Sequence, residues 1–392
     1  MIDFSIHSIV LKVAAPCNLN CTYCYEYNRG DSSWRSKPKH ILPEVVEQLG
    51  ARIEEYVSMR GLESFQVNLH GGEPTLIGAA GLERLITALA ASAPSVRFRF
   101  GMQSNATLVT PAIIEVLLRH GVRVGVSLDG DARANRLRVD HQGQPSWDRS
   151  VTGLKLLCEA GLVSGIQAVI DLDSDPEVVL DTLGTFEPPL IDLSPPCGNH
   201  DNPPRGGISR HLLGSWLRRA FDHWERTPRL RSIRIGILAD ALRAIMTERP
   251  TSEWFPGVPQ GFIVVTTDGS YEGLDTLKIV GDEGRVLGMS VHSHSIQDAL
   301  NHNYIQIRAG GGLCAECSAC PISHWCAGGY FPTRYGRGRG FDNPSVYCAD
   351  LKAMFEHLGG WLARQQAIDV ADRDRIFGRL ERLKVCQSGV HL

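Results

Sequence analysis

The chain has 392 residues, of which 43% are hydrophobic and 21% are charged, and its formal net charge is −3. This length predicts two to three domains, and the composition argues against a chain that is disordered throughout. The near-neutral charge offers no general attraction for nucleic acid, and no apolar run reaches the ~18 residues of a membrane-spanning helix. The amino terminus carries an acid where a signal peptide has basic residues, so we expect a cytoplasmic protein with neither nucleic acid nor membrane as a partner.

Short apolar runs alternate with amphipathic stretches along the first half of the chain. The predicted strands cover 8–14, 65–69, 96–102, 122–128, 163–170 and 190–193. The predicted helices between them cover 43–59, 82–91, 111–119, 147–160 and 175–183. Repeats of this kind predict parallel strands joined by right-handed crossovers. The fold class is therefore α/β, and the number of repeats indicates an open, partial (β/α)6 barrel.

The second half of the chain has a different texture. A break rich in proline, glycine and asparagine is followed by predicted helices over 211–226 and 235–249. A strand pair with a glycine turn begins near residue 263, and a cysteine-rich segment, a helix over 349–366 and a basic tail follow. We predict four units: a barrel over 1–205, a helical bridge over 206–255, an auxiliary domain over 256–350, and a C-terminal helix and tail over 351–392.

The cysteines are clustered. Eight of the eleven fall in two short regions, whereas Cys158, Cys197 and Cys386 are scattered. Without a secretory signal, disulfides are disfavoured, and clustered cysteines indicate metal or redox chemistry. Cys158 lies among leucines and is expected to be a small buried apolar residue, while Cys197, after the last predicted barrel strand, is expected to be structural or to face the cavity.

The first group is Cys17, Cys21 and Cys24, spaced C-x3-C-x2-C directly after the first predicted strand. Three thiolates on one loop can hold three irons of a cubane cluster and leave the fourth iron open. An open position is what a catalytic metal site requires. The alternative is a structural zinc loop, but zinc would need a fourth protein ligand, and none lies nearby in the sequence.

This motif, with an aromatic residue before its third cysteine, resembles the radical S-adenosylmethionine (SAM) superfamily. Further segments at predicted strand ends, where barrel active sites are assembled, resemble the SAM-binding segments of that family. The resemblance implies that Gly71, Gly72, Glu73 and Pro74 receive the methionyl ammonium group, that Arg138 binds the SAM carboxylate, that Tyr23 lies beside the adenine, and that Gln103, Ser104, Asn105, Ser127 and Asp129 complete the pocket. Taken singly, these segments are equally compatible with ordinary turns and strand ends.

The resemblance also implies the chemistry. A [4Fe-4S] cluster bound by the three cysteines would reduce SAM and release a 5′-deoxyadenosyl radical, which abstracts hydrogen from an unactivated C–H bond. The electron would come from a donor protein of the flavodoxin or ferredoxin type. The protein's own task would be to position the target carbon and exclude water.

The second group is Cys317, Cys320, Cys326 and Cys348, with Cys314 beside it. It resembles half of a SPASM domain, and this resemblance implies one auxiliary [4Fe-4S] cluster ligated by four cysteines. Tyr330 stands where a further cysteine is expected, and 271–278 lacks another, so we expect no second auxiliary cluster. Cys314 is either a remnant of that set or an alternative ligand. A zinc knuckle built from the same thiolates is the alternative.

The stretches 198–201, 265–270, 275–278 and 340–350 resemble the FxsB-type radical SAM/SPASM maturases, and the resemblance extends over roughly residues 6 to 365. It implies a ribosomally made precursor peptide as substrate and a crosslink from an aromatic ring carbon to an unactivated Cβ, which forms a cyclophane. Asp275 and Asp201 are the candidate bases, because each lies on a loop expected at the barrel mouth, although loop aspartates more often form turns or cap helices.

Four alternatives remain open at this stage. Three are radical reactions on peptides: thioether formation, epimerisation, and sulfatase-type maturation of a serine or cysteine. The fourth is a non-catalytic scaffold that binds zinc or a peptide.

Overall fold

The computed structural model describes residues 5–204, 207–208, 211–257, 261–281, 286–302, 312–365 and 368–387, with only the backbone of 384–387. A ten-stranded sheet has the order β10-β9-β8-β1-β2-β3-β4-β5-β6-β7. Its strands are β1 Ser8–Ala14, β2 Phe65–Gly71, β3 Phe98–Ser104, β4 Arg123–Ser127, β5 Val163–Val169, β6 Leu190–Ser194, β7 Arg234–Ile235, β8 Phe262–Val265, β9 Ser270–Glu272 and β10 Val286–Ser290. All neighbours from β8 to β7 are parallel, and β9 and β10 are antiparallel additions.

Helices connect the parallel strands, and each of β1 to β5 is followed by one. Those described are α1 Pro43–Arg60, α2 Gly78–Ala91, α3 Pro111–Arg119, α4 Trp147–Glu159, α5 Pro176–Gly184, α6 Leu212–Arg226, α7 Gly236–Thr247, α8 Ile296–Asn301, α9 Ala315–Ser318, α10 Ser323–Cys326, α11 Cys348–Ala363 and α12 Val370–Gln387. The start of α3 illustrates the local signals: the Thr110 hydroxyl accepts a hydrogen bond from the Ile113 N–H, and Pro111 occupies the first turn. The predicted α/β class and partial barrel are confirmed.

Strand alternation separates the packed layer from the barrel interior. In β2, Phe65, Val67 and Leu69 are fully buried, whereas the intervening side chains are half-buried on the other face. His70 belongs to that second face and borders the cavity described below. The apolar face of β2 is therefore packed in the core, and its other face is left for the interior of the barrel.

The strand pair predicted near residue 263 forms as the antiparallel β8–β9 hairpin, but it also extends the barrel. β8 pairs in parallel with β1, in a register that sets Ser8 against Phe262 and Leu11 against Val265. Strands β7 and β10 were not predicted, since β7 has only two residues and β10 has an exposed Val286 and a glycine at 288. The division into four units remains a prediction.

Some predictions lie outside the described residues: the boundary between 205 and 206, the end of the helix expected to reach 366, the side chain of Cys386, and the last residues of the tail. Within the part of the chain that the structure describes, no helix combines the length and the apolar character needed to cross a bilayer.

Candidate functional site

A cavity of about 320 Å³ opens at the carboxyl ends of the parallel strands. Its lining comes from the loop after β1, from the ends of β2 to β6, and from the segments near residues 254, 275 and 330. Thirteen of the predicted site residues line it: Cys17, Cys21, Tyr23, Cys24, Gly71, Gly72, Glu73, Gln103, Ser104, Asn105, Ser127, Arg138 and Asp275. Residues that are far apart in sequence thus meet where β/α barrels place their active sites.

The loop that carries the first cysteine group is fixed by backbone contacts. The Thr22 N–H donates to the Leu137 carbonyl at 3.0 Å, and the Cys17 Sγ accepts from the Leu19 N–H at 3.3 Å. Burial raises the pKa of the Cys24 thiol to about 12 and also raises the pKa values of Cys17 and Cys21. Because cluster ligands are thiolates, binding a cluster here would release protons.

Glu73 fastens the ends of β2 and β3 together. Its carboxylate is buried and accepts hydrogen bonds from the Thr75 N–H, the Thr75 hydroxyl, the Ser104 hydroxyl and the Asn105 N–H, at 2.6 to 3.1 Å. Burial raises the pKa of Glu73, although these hydrogen bonds oppose the shift. Three of the bonds fall on Oε1 and one on Oε2, so Oε2 keeps more capacity to accept a donor from a ligand.

The two glycines before Glu73 are required by close packing within the chain itself. Gly71 has a φ of +142°, and a Cβ there would lie 2.2 Å from the Ala14 carbonyl oxygen. A Cβ on Gly72 would lie 1.9 Å from the Tyr27 hydroxyl and 2.2 Å from the Pro16 carbonyl oxygen. The close approach expected between this segment and a ligand is therefore accompanied by an equally close approach to the loop after β1.

Arg138 retains an unused donor beside the cavity. Its Nη1 donates to the Tyr23 hydroxyl at 2.7 Å, and that hydroxyl donates to Asp129 Oδ2 at 2.6 Å. The Arg138 Nε is buried and has no partner among the described residues. A buried guanidinium with an open donor suits a carboxylate, so the residues present fit the carboxylate group of SAM.

Asp275 is held by groups that the sequence did not reveal. Its Oδ2 lies 3.1 Å from Lys12 Nζ and accepts a hydrogen bond from the Tyr25 hydroxyl at 2.7 Å. Lys12 also lies 3.2 Å from Glu26, which in turn bonds Lys278. Although burial acts to raise it, Lys12 and the Tyr25 hydrogen bond hold the pKa of Asp275 well below its usual range. The sequence does contain one signal for this cluster: a lysine inside the apolar strand SIVLKVA, which would need buried partners of opposite charge.

Further groups complete the wall beside Asp275. Burial and the nearby Lys12 cation lower the pKa of His70 to about 4, so its imidazole is neutral at pH 7. Asp192, on β6, also lines the cavity, and burial together with the charge of Asp240 raises its pKa to about 6. Cys197 also lines the cavity, which is one of the two positions expected for it from the sequence.

Three predicted site residues lie elsewhere. Asp201 is exposed, and its Oδ2 accepts the Arg337 N–H at 2.8 Å, outside the cavity lining. The prediction that Asp201 lies at the barrel mouth is therefore wrong. Its carboxylate instead accepts a hydrogen bond from the backbone of another loop. Asp129 lies behind Tyr23, as the hydrogen bonds above require, and Pro74 begins a short 3-10 helix after Glu73.

The second cysteine group surrounds a smaller cavity of about 140 Å³. Cys317, Cys320, Cys326 and Cys348 line it, whereas Cys314 is buried outside the lining, next to Cys317. Burial raises the pKa of Cys317 to about 12. Among the described residues, no set of three or more His, Cys, Asp or Glu side chains converges as the ligands of one metal ion would.

Comparison with known proteins gives a family and several relatives. Residues 12–183 match the model of the Radical SAM superfamily. A cysteine-type anaerobic sulfatase-maturating enzyme of Clostridium novyi (strain NT) is 23% identical over 376 residues, which cover 90% of this chain and 95% of that protein.

Two solved structures have similar folds. Native anSMEcpe with bound AdoMet and Cp18Cys peptide gives a TM-score of 0.78 at 19% identity, covering 91% of this chain and 97% of the other. Streptococcus suis SuiB bound to precursor peptide SuiA gives a TM-score of 0.62 at 16% identity, covering 87% of this chain and 76% of the other.

Residues 12–183, which match the Radical SAM superfamily, hold the first cysteine group and most of the strand ends that line the cavity, and this likeness together with the relatives indicates an enzyme that cleaves SAM. The cofactors of this class are SAM and [4Fe-4S] clusters. The fold is similar to that of anSMEcpe along nearly the whole of both chains.

Proposed function

We propose that the protein oxidatively crosslinks residues of a ribosomally made precursor peptide and joins an aromatic ring carbon to an unactivated Cβ, as in the FxsB-type maturases. The observation that carries the proposal is the position of Asp275. This half-buried carboxylate lines the same cavity as the first cysteine group, and its recorded partners contact one oxygen only. A substrate carbon in that cavity would lie between a site for hydrogen abstraction and a base.

The residues assigned to the cofactors follow the cavity lining. Cys17, Cys21 and Cys24 would hold the first cluster, and Glu73, Arg138 and their neighbours would hold SAM. The second cysteine group, Cys317, Cys320, Cys326 and Cys348, would hold the auxiliary cluster. When bound, these groups supply abstraction of a hydrogen atom from an unactivated C–H bond and an acceptor for the electron that crosslinking releases.

Asp275 would remove the ring proton that completes the crosslink. Its Oδ2 is occupied by Lys12 and Tyr25, which leaves Oδ1 for the substrate. The depressed pKa keeps the carboxylate ionised. A weak base is sufficient, because a ring carbon that carries both the new bond and its hydrogen loses that proton readily. Lys12 and Tyr25 act through Asp275 and are positioning residues.

Two observations support a peptide as the substrate. The two neighbouring folds belong to proteins whose structures contain a bound peptide, Cp18Cys in one and SuiA in the other. The cavity also combines charged groups on the side of the cysteine loop with apolar rings on the side of Tyr330, as a pocket for a residue side chain would. The electron donor is expected to be of the flavodoxin or ferredoxin type.

Sulfatase-type maturation is the second candidate, favoured by the relative from Clostridium novyi, which this chain matches over nearly its full length. That reaction oxidises one serine or cysteine side chain to formylglycine and leaves an aldehyde, whereas a crosslink leaves none. It too requires a base in the cavity, so the position of Asp275 supports both oxidations, and the preference for the crosslink rests in addition on the resemblance to the FxsB-type maturases.

The test uses a short peptide encoded beside the gene, co-expressed with the enzyme without oxygen and analysed by tandem mass spectrometry. A crosslink is expected to remove two hydrogen atoms from the peptide and to suppress fragmentation between the joined residues. An aldehyde trapped by a hydrazide would instead establish formylglycine formation. A mass unchanged after complete conversion would indicate epimerisation, and reconstituted enzyme that does not cleave SAM would contradict all the radical reactions.

A further inference from the structure

One part of the cavity wall is aromatic. Trp254, Phe262 and Tyr330 line it, and we call these three residues the aromatic corner. The rings of Trp254 and Tyr330 are tilted by 45° with centroids 4.6 Å apart. Tyr330 is almost fully buried, whereas Trp254 and Phe262 are half-buried and keep ring surface that the chain does not cover. Tyr330 is also the residue that stands in place of an expected cysteine.

The corner is rigidly supported. Behind Tyr330 lies a small hydrophobic cluster, separate from the main core, that contains Leu274, Leu277 and Phe331. The Tyr330 hydroxyl lies 2.5 Å from the Thr276 hydroxyl, so its polar end already has a partner. Thr276 directly follows Asp275, and the hydrogen bond therefore ties the corner to the proposed base. What remains available on this wall is aromatic ring surface.

We propose that the aromatic corner is a subsite for an aromatic side chain of the peptide substrate, which it holds beside Asp275. This inference rests on the proposed function and specifies its substrate. Tilted rings present both faces and edges to an incoming ring, and aromatic pairs at 4.5–7 Å gain attraction beyond the area that they bury. An aliphatic side chain would receive only the area term.

A cationic side chain is the competing occupant, because positive groups also bind aromatic faces. Two carboxylates lie near the corner, those of Asp275 and Glu253, and both have interactions within the chain. Asp275 is already paired with Lys12 and Tyr25. The three residues of the corner present only aromatic surface to the cavity, since the Tyr330 hydroxyl is already paired with Thr276, and this surface favours a neutral ring.

The experiment measures binding rather than turnover. Enzyme reconstituted with iron, sulfide and SAM is titrated with N-acetylphenylalanine amide, N-acetylleucine amide and N-acetylarginine amide, followed by ligand-observed NMR. The variants are Trp254→Leu, Tyr330→Leu and Tyr330→Phe. The matched control is Phe98→Leu, since Phe98 stacks on Phe100 away from the cavity. Formation of 5′-deoxyadenosine with a chemical reductant checks that each variant retains its cofactors.

We expect the phenylalanine probe to bind about five-fold more tightly than the leucine probe, and Trp254→Leu and Tyr330→Leu to remove that difference. Tyr330→Phe keeps the ring and should retain most of the preference for the phenylalanine probe. Phe98→Leu should retain all of that preference. Equal binding of all three probes, tightest binding of the arginine probe, or an unchanged preference in both corner variants would each overturn the inference.

Failure of the inference and failure of the proposed function are distinguishable. A peptide that is crosslinked by an enzyme whose corner shows no preference for the aromatic probe would reject the subsite alone. A corner that selects the aromatic probe in an enzyme whose peptide product carries an aldehyde would reject the crosslinking reaction alone.

Discussion

Lys12 determines the electrostatics on one side of the cavity. A lysine ammonium that is 3% exposed in the middle of a strand requires partners, and Asp275 and Glu26 supply them. The salt bridges and the Tyr25 hydrogen bond fix the Asp275 carboxylate and leave one of its oxygens for the cavity. At this scale, the proposed function depends on a cation that touches no proposed ligand.

Replacing Asp275 tests the proposed base directly. We expect Asp275→Asn to lower the rate of peptide product formation by about 100-fold or more while 5′-deoxyadenosine still forms, because hydrogen abstraction needs no base. Lys12 keeps its salt bridge with Glu26, so the variant should fold. The same change at the exposed Asp201 should have little effect, and equal losses in both variants would contradict the assignment.

Asp192 should make stability depend on pH in an unusual direction. Its pKa is raised to about 6, above the ordinary 3.8, so ionisation costs more in the folded chain than in the unfolded one. Stability is therefore lost as pH rises from about 4 to 6. Without SAM, Asp192→Asn should match the wild type near pH 4 and exceed it by up to about 3 kcal/mol at pH 8, measured by thermal unfolding.

The control for this effect is Asp173→Asn, which removes a carboxylate whose side chain is 72% exposed. Asp173→Asn should change the free energy of unfolding by the same small amount at pH 4 and at pH 8. An Asp192→Asn variant that is less stable than the wild type at pH 8 would show that the carboxylate has a stabilising partner.

At the scale of elements, the loop after β1 and the end of β2 form one unit. Gly71 and Gly72 bring β2 into contact with Ala14 and Pro16, and Glu73 then fastens the same point to β3. The cysteine loop is therefore supported from beneath by the glycine segment. The sequence predicted both segments but not their mutual contact, because pattern and spacing report local conformation and not which backbone atoms approach across strands.

Gly72→Ala tests this support. The added Cβ would overlap the Tyr27 hydroxyl and the Pro16 carbonyl, and relieving that overlap should displace the cysteine loop. We expect the iron content of the reconstituted protein to fall by roughly half, since only the second cysteine group would still bind a full cluster. Gly378→Ala, in a helix with 3.7 Å to its nearest neighbour, is the control and should leave the iron content unchanged.

At the scale of the whole molecule, the barrel was predictable and its extension was not. The order of strands and helices from β1 to β6 follows from apolar periodicity, and the cysteine spacings predicted both groups that line cavities. The pairing of β8 with β1, and the meeting of Lys12 with Asp275, depend on long-range contacts that no local pattern encodes. Asp201 was misplaced for the same reason, because the direction of a loop side chain is set by its tertiary partners.

The two cysteine groups should be separable by mutation. Cys326→Ala is expected to abolish formation of the crosslinked peptide while SAM cleavage continues, because the proposed electron acceptor is lost but the cavity is intact. Cys158→Ala, at a half-buried cysteine outside both groups, is the control. Cys314→Ala should keep the full iron content of the reconstituted protein. If Cys314→Ala instead lost as much iron as Cys326→Ala, Cys314 would be a cluster ligand.

The parallel contact between β8 and β1 restricts how enzymes of this shape exchange modules. A C-terminal half taken from another protein would have to provide a strand that pairs in parallel with Ser8–Leu11. That strand would need the same register as Phe262–Val265 has in this chain. Only then would the acid at 275 arrive opposite the lysine at 12. A chimera that kept the cysteines but shifted the register of this strand by one residue would still be expected to bind its clusters. It would lack the salt bridge between Lys12 and Asp275.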